Sequence, residues 1–189
     1  MRILITRHAE DLGPSFDEEN RVLTKKGVLQ SKKLGEIVRK FNPSYIYSSP
    51  LKRAKQTAEI IRKYCNIQIR ILDGLREQIT KNEKSKDNKL ITNKGYIELN
   101  QKYFNGESYG ELYTRTKKIW DLIKEKHNYK DKIVIITHGR LMTFLISEIL
   151  GFIPDGFYFA NENTSYVVLL INPDWRPMIL LPIAGQLYI

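Results

Sequence analysis

Two of the three histidines in this 189-residue chain occupy matching places. His8 closes the run Ile3-Leu4-Ile5-Thr6-Arg7-His8, and His138 follows Ile133-Val134-Ile135-Ile136-Thr137 and precedes Gly139. An imidazole with its ordinary pKa of about 6.5 is largely neutral at pH 7, so it offers a nucleophilic nitrogen without a separate base. A nitrogen that takes up a phosphoryl group also needs positioned positive charge around the equatorial oxygens. Arg7 adjoins His8, and Arg53 falls in the first turn of a helix predicted after Ser48-Ser49-Pro50, where guanidinium and backbone amides can meet the same anion. The third histidine, His127, sits in the polar run Lys126 to Lys132 and reads as a surface residue.

Apolar β-favouring runs alternate with helical patterns along the chain, which predicts an α/β fold with parallel strands joined by crossover helices. Strands are expected at Met1 to Thr6, Tyr45 to Ser48, Ile67 to Leu72, Lys132 to Thr137 and Tyr166 to Ile171, with a late one near Met178 to Leu181. Leu34, Ile37, Val38 and Phe41 make one apolar stripe on a helix that starts near Thr24 and ends at Asn42-Pro43. A second helix is expected to take Ser49 as its N-cap and Pro50 as its first residue, burying Leu51, Ala54, Ala58 and Ile61. A third opens on the capping box Ser108/Glu111 with Leu112, Thr116, Ile119 and Ile123 inward, and a fourth runs from Leu141 to Leu150. The expected architecture is a three-layer α/β/α sandwich with a mostly parallel sheet, formed by residues 1–189 as one domain. In such a sheet both histidines reach one crevice at the carboxyl ends of the strands. The stretch Gln78 to Asn105 lacks sustained periodicity and reads as an insertion over the sheet, part of a lid.

Composition narrows the function classes. Apolar residues at 42% and charged residues at 28% are globular values. A net charge of +10 favours anionic ligands, but the lysine pairs lie on solvated helix positions without a nucleic-acid-binding motif, so no nucleic acid partner is expected. The longest apolar stretch, Leu141 to Ile153, is interrupted by Ser147, Glu148 and Gly151 and is too short to span a bilayer. No membrane partner follows, and a cytoplasmic location is expected. The lone Cys65 forms no internal disulfide, and Arg70 follows it one residue too soon for a cysteine-phosphatase loop. It reads as a structural thiol near a helix end. Carboxylates and histidines with metal-ligand spacing are lacking in the sequence, so neither a metal nor another cofactor is expected.

Taken in order, Arg7-His8-Ala9-Glu10, Leu23-Thr24-Lys25-Lys26-Gly27, the block Ser49-Pro50-Leu51-Lys52-Arg53-Ala54-Lys55-Gln56-Thr57-Ala58, Leu75-Arg76-Glu77, Gly106-Glu107-Ser108 and Thr137-His138-Gly139 form a series. This series resembles the histidine phosphatase superfamily, also called phosphoglycerate mutase-like, and spans Arg7 to about Leu150. The resemblance implies a metal-independent phosphomonoesterase acting on a phosphorylated small molecule through a phosphohistidine. It makes His8 the phosphorylated residue. Arg7, Arg53 and His138 would hold the phosphoryl group, Gly139 would join them, and Glu77 would be the general acid. Glu77 is identified by the Leu-Arg-Glu match alone, since Glu83 and Glu107 are equal choices on spacing.

The sequence also departs from the family pattern. The asparagine that commonly follows the Arg-His motif and touches phosphate is missing from Ala9 to Ser15. The short segment before Leu23-Thr24 ends with Arg21, as in the small phosphohistidine phosphatases, which makes Arg21 a replacement phosphate ligand. Leu75-Arg76-Glu77 and Gly106-Glu107-Ser108 look instead like the mutase-like phosphatases. A protein phosphohistidine phosphatase, a phosphoglycerate mutase and a catalytically silent phospho-ligand-binding module therefore stand as alternatives. The physiological substrate and oligomeric state stay open.

Overall fold

The computed structural model describes residues 1–13, 18–79, 106–154, 162–174 and 176–184. The elements are β1 (Arg2–Arg7), α1 (Lys25–Phe41), β2 (Tyr45–Ser48), α2 (Lys52–Cys65), β3 (Ile69–Ile71), a 3-10 turn (Asp73–Leu75), α3 (Tyr109–Lys126), β4 (Lys132–Thr137), α4 (Gly139–Leu150), β5 (Tyr166–Ile171) and β6 (Pro177–Ala184). The insertion expected at Gln78 to Asn105 lies outside the described residues from position 80 onward.

The six strands form one sheet in the order β3-β2-β4-β1-β5-β6. Pairings β2 with β3, β2 with β4 and β1 with β4 are parallel. The last two strands depart from the parallel expectation, since β5 runs antiparallel to both β1 and β6. No long helical crossover separates β5 from β6, and a short connection joins only antiparallel neighbours.

Alternation along β1 and β4 explains the three layers. Ile3, Ile5, Ile133 and Ile135 point to one face and pack with Leu112, Ile119 and Ile123 of α3 and Phe144 of α4. Leu4, Val134 and Ile136 point to the other and meet Leu34 and Val38 of α1 with Ala54, Ala58 and Ile61 of α2. Each large aliphatic side chain so buried stabilises the fold by about 1.5–3 kcal/mol. Among the described residues no helix is long and apolar enough to cross a membrane.

Helix ends follow local chemistry. Thr24 caps α1 by accepting from the Gly27 amide at 2.9 Å, and Asn42, at φ 53°, terminates it before Pro43. A Cβ at Gly27 would stand 2.0 Å from the Glu10 carbonyl oxygen, so only glycine lets α1 start against the loop after β1. Ser108 and Glu111 complete the expected capping box. Ser49 does not cap α2. The helix begins at Lys52 behind Leu51, which has no side-chain acceptor, while the Ser49 hydroxyl meets His138 Nε2 and accepts from the Leu51 amide at 3.2 Å. The predicted strand from Ile67 to Leu72 shortens to Ile69–Ile71.

His127 is not a surface residue. It is 7% exposed, with Nε2 2.8 Å from the Tyr47 hydroxyl and Nδ1 3.1 Å from Asp131 Oδ2. Its polar neighbours in sequence face outward while Tyr47 and Asp131 supply partners inside. Cys65, in the last turn of α2, is a free and partly buried thiol whose pKa burial pushes up.

Candidate active site

The carboxyl ends of β1, β2 and β4 converge on an open cleft of about 320 Å³ whose lining includes Arg7, His8, Arg21, Arg53, Glu77 and Arg140. His8 stands immediately beyond β1 and His138 immediately beyond β4. The His8 amide donates to the Thr137 carbonyl at 2.9 Å, which continues the parallel ladder past the last strand residue. Their ring centroids are 4.9 Å apart.

The hydrogen bonds of His8 fix its tautomer. Nδ1 lies 2.8 Å from the Ala9 carbonyl, which can only accept, so Nδ1 carries the proton. Nε2 then holds a lone pair, and it accepts from Arg53 Nε at 3.2 Å. The ring is 4% exposed, and burial first, then the Arg53 charge, hold its pKa well below the ordinary histidine value. His138 is fully buried; its Nε2 lies 2.7 Å from Ser49 Oγ, and its Nδ1 has no hydrogen-bond partner among the described residues. Burial, followed by His8 and Arg53, depresses its pKa well below the ordinary value too.

Arg53 enters the site from the first turn of α2 and is 1% exposed. Besides His8 it reaches Glu18, donating from Nη1 to the carbonyl at 2.7 Å and from Nη2 to Oε1 at 2.6 Å. Arg21 joins the same cluster, with Nη2 2.8 Å from Glu18 Oε1 and Nη1 3.6 Å from Asp11 Oδ1. Glu77 lies at the amino end of α4. Its Oε2 accepts from the Arg140 amide at 3.4 Å, and its Oε1 accepts from the amides of Leu141 at 3.3 Å and Gln78 at 3.0 Å. The Arg140 and Leu141 amides are among those that the start of α4 leaves unpaired, so the helix helps to orient this carboxylate. Gly139 opens α4 directly after His138. The structure thus brings Arg7, His8, Arg21, Arg53, Glu77 and His138 to one region of the sheet edge.

Several contributors escape a reading of the sequence. Asp11, with a side chain 8% exposed, faces Arg53 Nε at 3.4 Å and His8 Nδ1 at 3.8 Å, and Glu18 bridges two arginines. Thr57 accepts from the Ala9 amide at 3.1 Å and ties the loop after His8 to α2, while Asn163 donates to the His8 carbonyl at 3.2 Å. Only Thr57 carried a signal, because it stands in the Arg53 block. Among the described residues no three His, Cys, Asp or Glu side chains gather as a metal ion requires.

The two depressed histidines make stability pH-dependent. With folded pKa values below 6.5, the unfolded chain binds more protons than the native one as pH falls, so stability is retained above pH 6.5 and lost below it. Lowering the pH from about 7 to about 5.5 should therefore lower the free energy of unfolding, with both buried rings contributing. Urea unfolding at the two pH values should show this loss, and the His8→Gln, His138→Gln double variant should show a shallower one. An equally steep dependence in the double variant would assign it to other groups.

Comparison with known proteins adds a second line. The family model described as histidine phosphatase superfamily (branch 1) matches residues 3–180. A Schizosaccharomyces pombe protein described as a probable phosphatase is 33% identical over 161 residues, covering 78% of this chain; the chain spans 56% of that relative's length. The solved mycobacterial glucosyl-3-phosphoglycerate phosphatase superposes with a TM-score of 0.80 at 18% identity, over 97% of this chain and 98% of that one. A phosphoserine phosphatase mutant from Entamoeba histolytica, in complex with phosphoserine, gives 0.77 at 22% identity, over 98% of each chain. At these identities the likeness of the solved structures establishes a shared fold.

Proposed function

The chain belongs to the histidine phosphatase superfamily, branch 1, and from that premise we propose that it is a phosphatase hydrolysing small-molecule phosphomonoesters through a phosphohistidine at His8. The observation that carries the reading is the fixed tautomer of His8, whose Nε2 lone pair is held beside Arg53 in the cleft. Small phosphorylated substrates in the names of the phosphatases sharing this fold support the substrate class. The whole chain acts as one catalytic domain on this reading, and a free thiol at Cys65 is consistent with a cytoplasmic location.

Two displacements complete the reaction. In the first, Nε2 attacks phosphorus, the P–O bond to the leaving group breaks, and Glu77 delivers a proton to the departing oxygen. The imidazole becomes cationic, and the Ala9 carbonyl and the Asp11 carboxylate face its Nδ1–H. Arg7, Arg21, Arg53 and His138 hold the phosphoryl oxygens, with Gly139 behind His138. In the second, water attacks phosphorus while Glu77 takes its proton, the N–P bond breaks, and orthophosphate leaves with His8 neutral again. Metal charge has no required part in this scheme because guanidinium groups neutralise the transferring phosphoryl.

The test is a labelled phosphoenzyme. In EDTA, a phosphoester labelled in its phosphoryl group should yield a covalent adduct at His8 that is stable to base and labile to acid, and a panel of phosphorylated metabolites should rank the substrates. No turnover of any phosphoester, or turnover that EDTA abolishes, would overturn the reading. The placement of Arg21 beside Arg53 favours one rival, a phosphohistidine protein as substrate. It would show as turnover of such a protein with none of the small esters.

A further inference from the structure

We propose that Arg115 and Glu107 are positioning residues for Glu77, holding its carboxylate where a leaving oxygen must be protonated. The inference rests on the reading of Glu77 as the proton donor. It starts from a mismatch between task and support: Glu77 lies in a segment that, after the 3-10 turn Asp73–Leu75, has no regular structure. A donor misplaced by about 1 Å can lose about 100-fold in rate, so something must fix this loop.

Arg115, a partly buried side chain of α3, grips it with two of its three guanidinium nitrogens. Nη1 donates to the carbonyls of Gly74 and, at 3.0 Å, Arg76, and Nη2 reaches the carbonyl of Glu77 itself at 3.4 Å. The remaining contacts form a two-pronged pair with Glu107, from Nε to Oε1 at 2.8 Å and from Nη2 to Oε2 at 2.6 Å. Glu107 then grips the other side of Glu77. Its Oε2 accepts from the Ile79 amide at 3.2 Å, its own amide donates to the Ile79 carbonyl at 2.8 Å, and its carbonyl accepts from Gln78 Nε2 at 2.8 Å.

The pair therefore clasps the backbone on both flanks of Glu77, while the α4 amides take the carboxylate end. Fold maintenance alone needs less. Leu75 is fully buried and its carbonyl already accepts from Thr137 Oγ1 at 2.8 Å, so the chain is anchored before it reaches Arg76. The Glu107 and Arg115 side chains are 9% and 21% exposed, which shields the pair from solvent screening. Only a planar fork can make these contacts together, so lysine at 115 keeps the charge and loses the clasp. The same geometry accounts for the Gly106-Glu107-Ser108 motif: Ser108 starts α3, and that start brings Arg115 back over Glu107.

The experiment compares kcat/KM for an alkyl phosphate, whose leaving oxygen needs a proton, with that for p-nitrophenyl phosphate, whose leaving group does not. Parent, Arg115→Lys, Glu107→Gln and Glu77→Gln enzymes are measured, with circular dichroism and melting to confirm folding. Arg115→Lys and Glu107→Gln should lose about 10- to 100-fold on the alkyl ester and less than about threefold on p-nitrophenyl phosphate, and neither should add to Glu77→Gln on the alkyl ester. Equal losses on both esters, or no loss on either, in the 115 and 107 variants would overturn the positioning role. If Glu77→Gln itself affects both esters equally, the acid assignment fails instead, and the two failures are told apart. Should Arg115→Lys not fold, Glu107→Gln, which keeps the side chain's size, decides the matter.

Discussion

His8→Ala should reduce kcat/KM by more than about 10⁴-fold while leaving phosphate binding close to normal. The substitution deletes the ring nitrogen held with its lone pair beside Arg53, so no covalent adduct can form there. Arg7, Arg21, Arg53 and His138 all remain, and the guanidinium released from His8 stays fastened to Glu18. Orthophosphate should therefore inhibit or protect the variant at concentrations within about threefold of the parent's, as calorimetry or competition with a labelled ester would read. Residual turnover above about one part in a hundred would place the nucleophile elsewhere. Loss of phosphate binding together with turnover would mean that His8 organises the pocket without reacting.

The second large effect falls on Arg53. Its guanidinium is the most buried charge in the cleft and links His8, Asp11 and Glu18 in one cluster. Arg53→Lys preserves the charge and loses the fork, and kcat/KM should fall by about 10²- to 10³-fold. Arg53→Ala goes further by leaving Asp11 and Glu18 to Arg21 alone, and the resulting loss of stability should be readable in urea unfolding. A spectroscopic signature accompanies both kinetics and stability. Next to burial, the Arg53 charge does most to depress the His8 pKa, so removing it should move that pKa upward. The ring should then protonate at higher pH in an NMR titration. An unmoved titration would show that the Arg53 charge does not govern His8.

The site residues differ in how openly the sequence announces them. His8 and His138 are legible because unbroken apolar runs can only be buried strands, and a polar residue directly after such a strand lands on the ligand edge. Arg53 is legible because Ser-Pro marks a helix start, even though the hydroxyl of Ser49 turns to His138 and the helix caps itself on Leu51. Glu77 needed the family resemblance, since its place depends on α4 and α3, elements far from it in sequence. Asp11 and Glu18 are silent for another reason. A carboxylate reads as solvated unless the cations around it are known, and those come from Arg21 and Arg53 on different segments. His127 misleads by the same logic, because one of its two partners, Tyr47, lies 80 positions away.

The 4.9 Å between the two imidazoles nearly equals the spacing of adjacent strands in any sheet, about 4.8 Å. Arg7 and Thr137, the residues just before them, are register partners in the β1–β4 ladder. The spacing of the backbone positions that carry the two rings is thus a lattice constant of backbone hydrogen bonding, indifferent to which side chains fill the core. Surface segments can be exchanged, lengthened or recoloured in charge without retuning it, so recognition of new esters can evolve against a ruler that the peptide bond itself supplies.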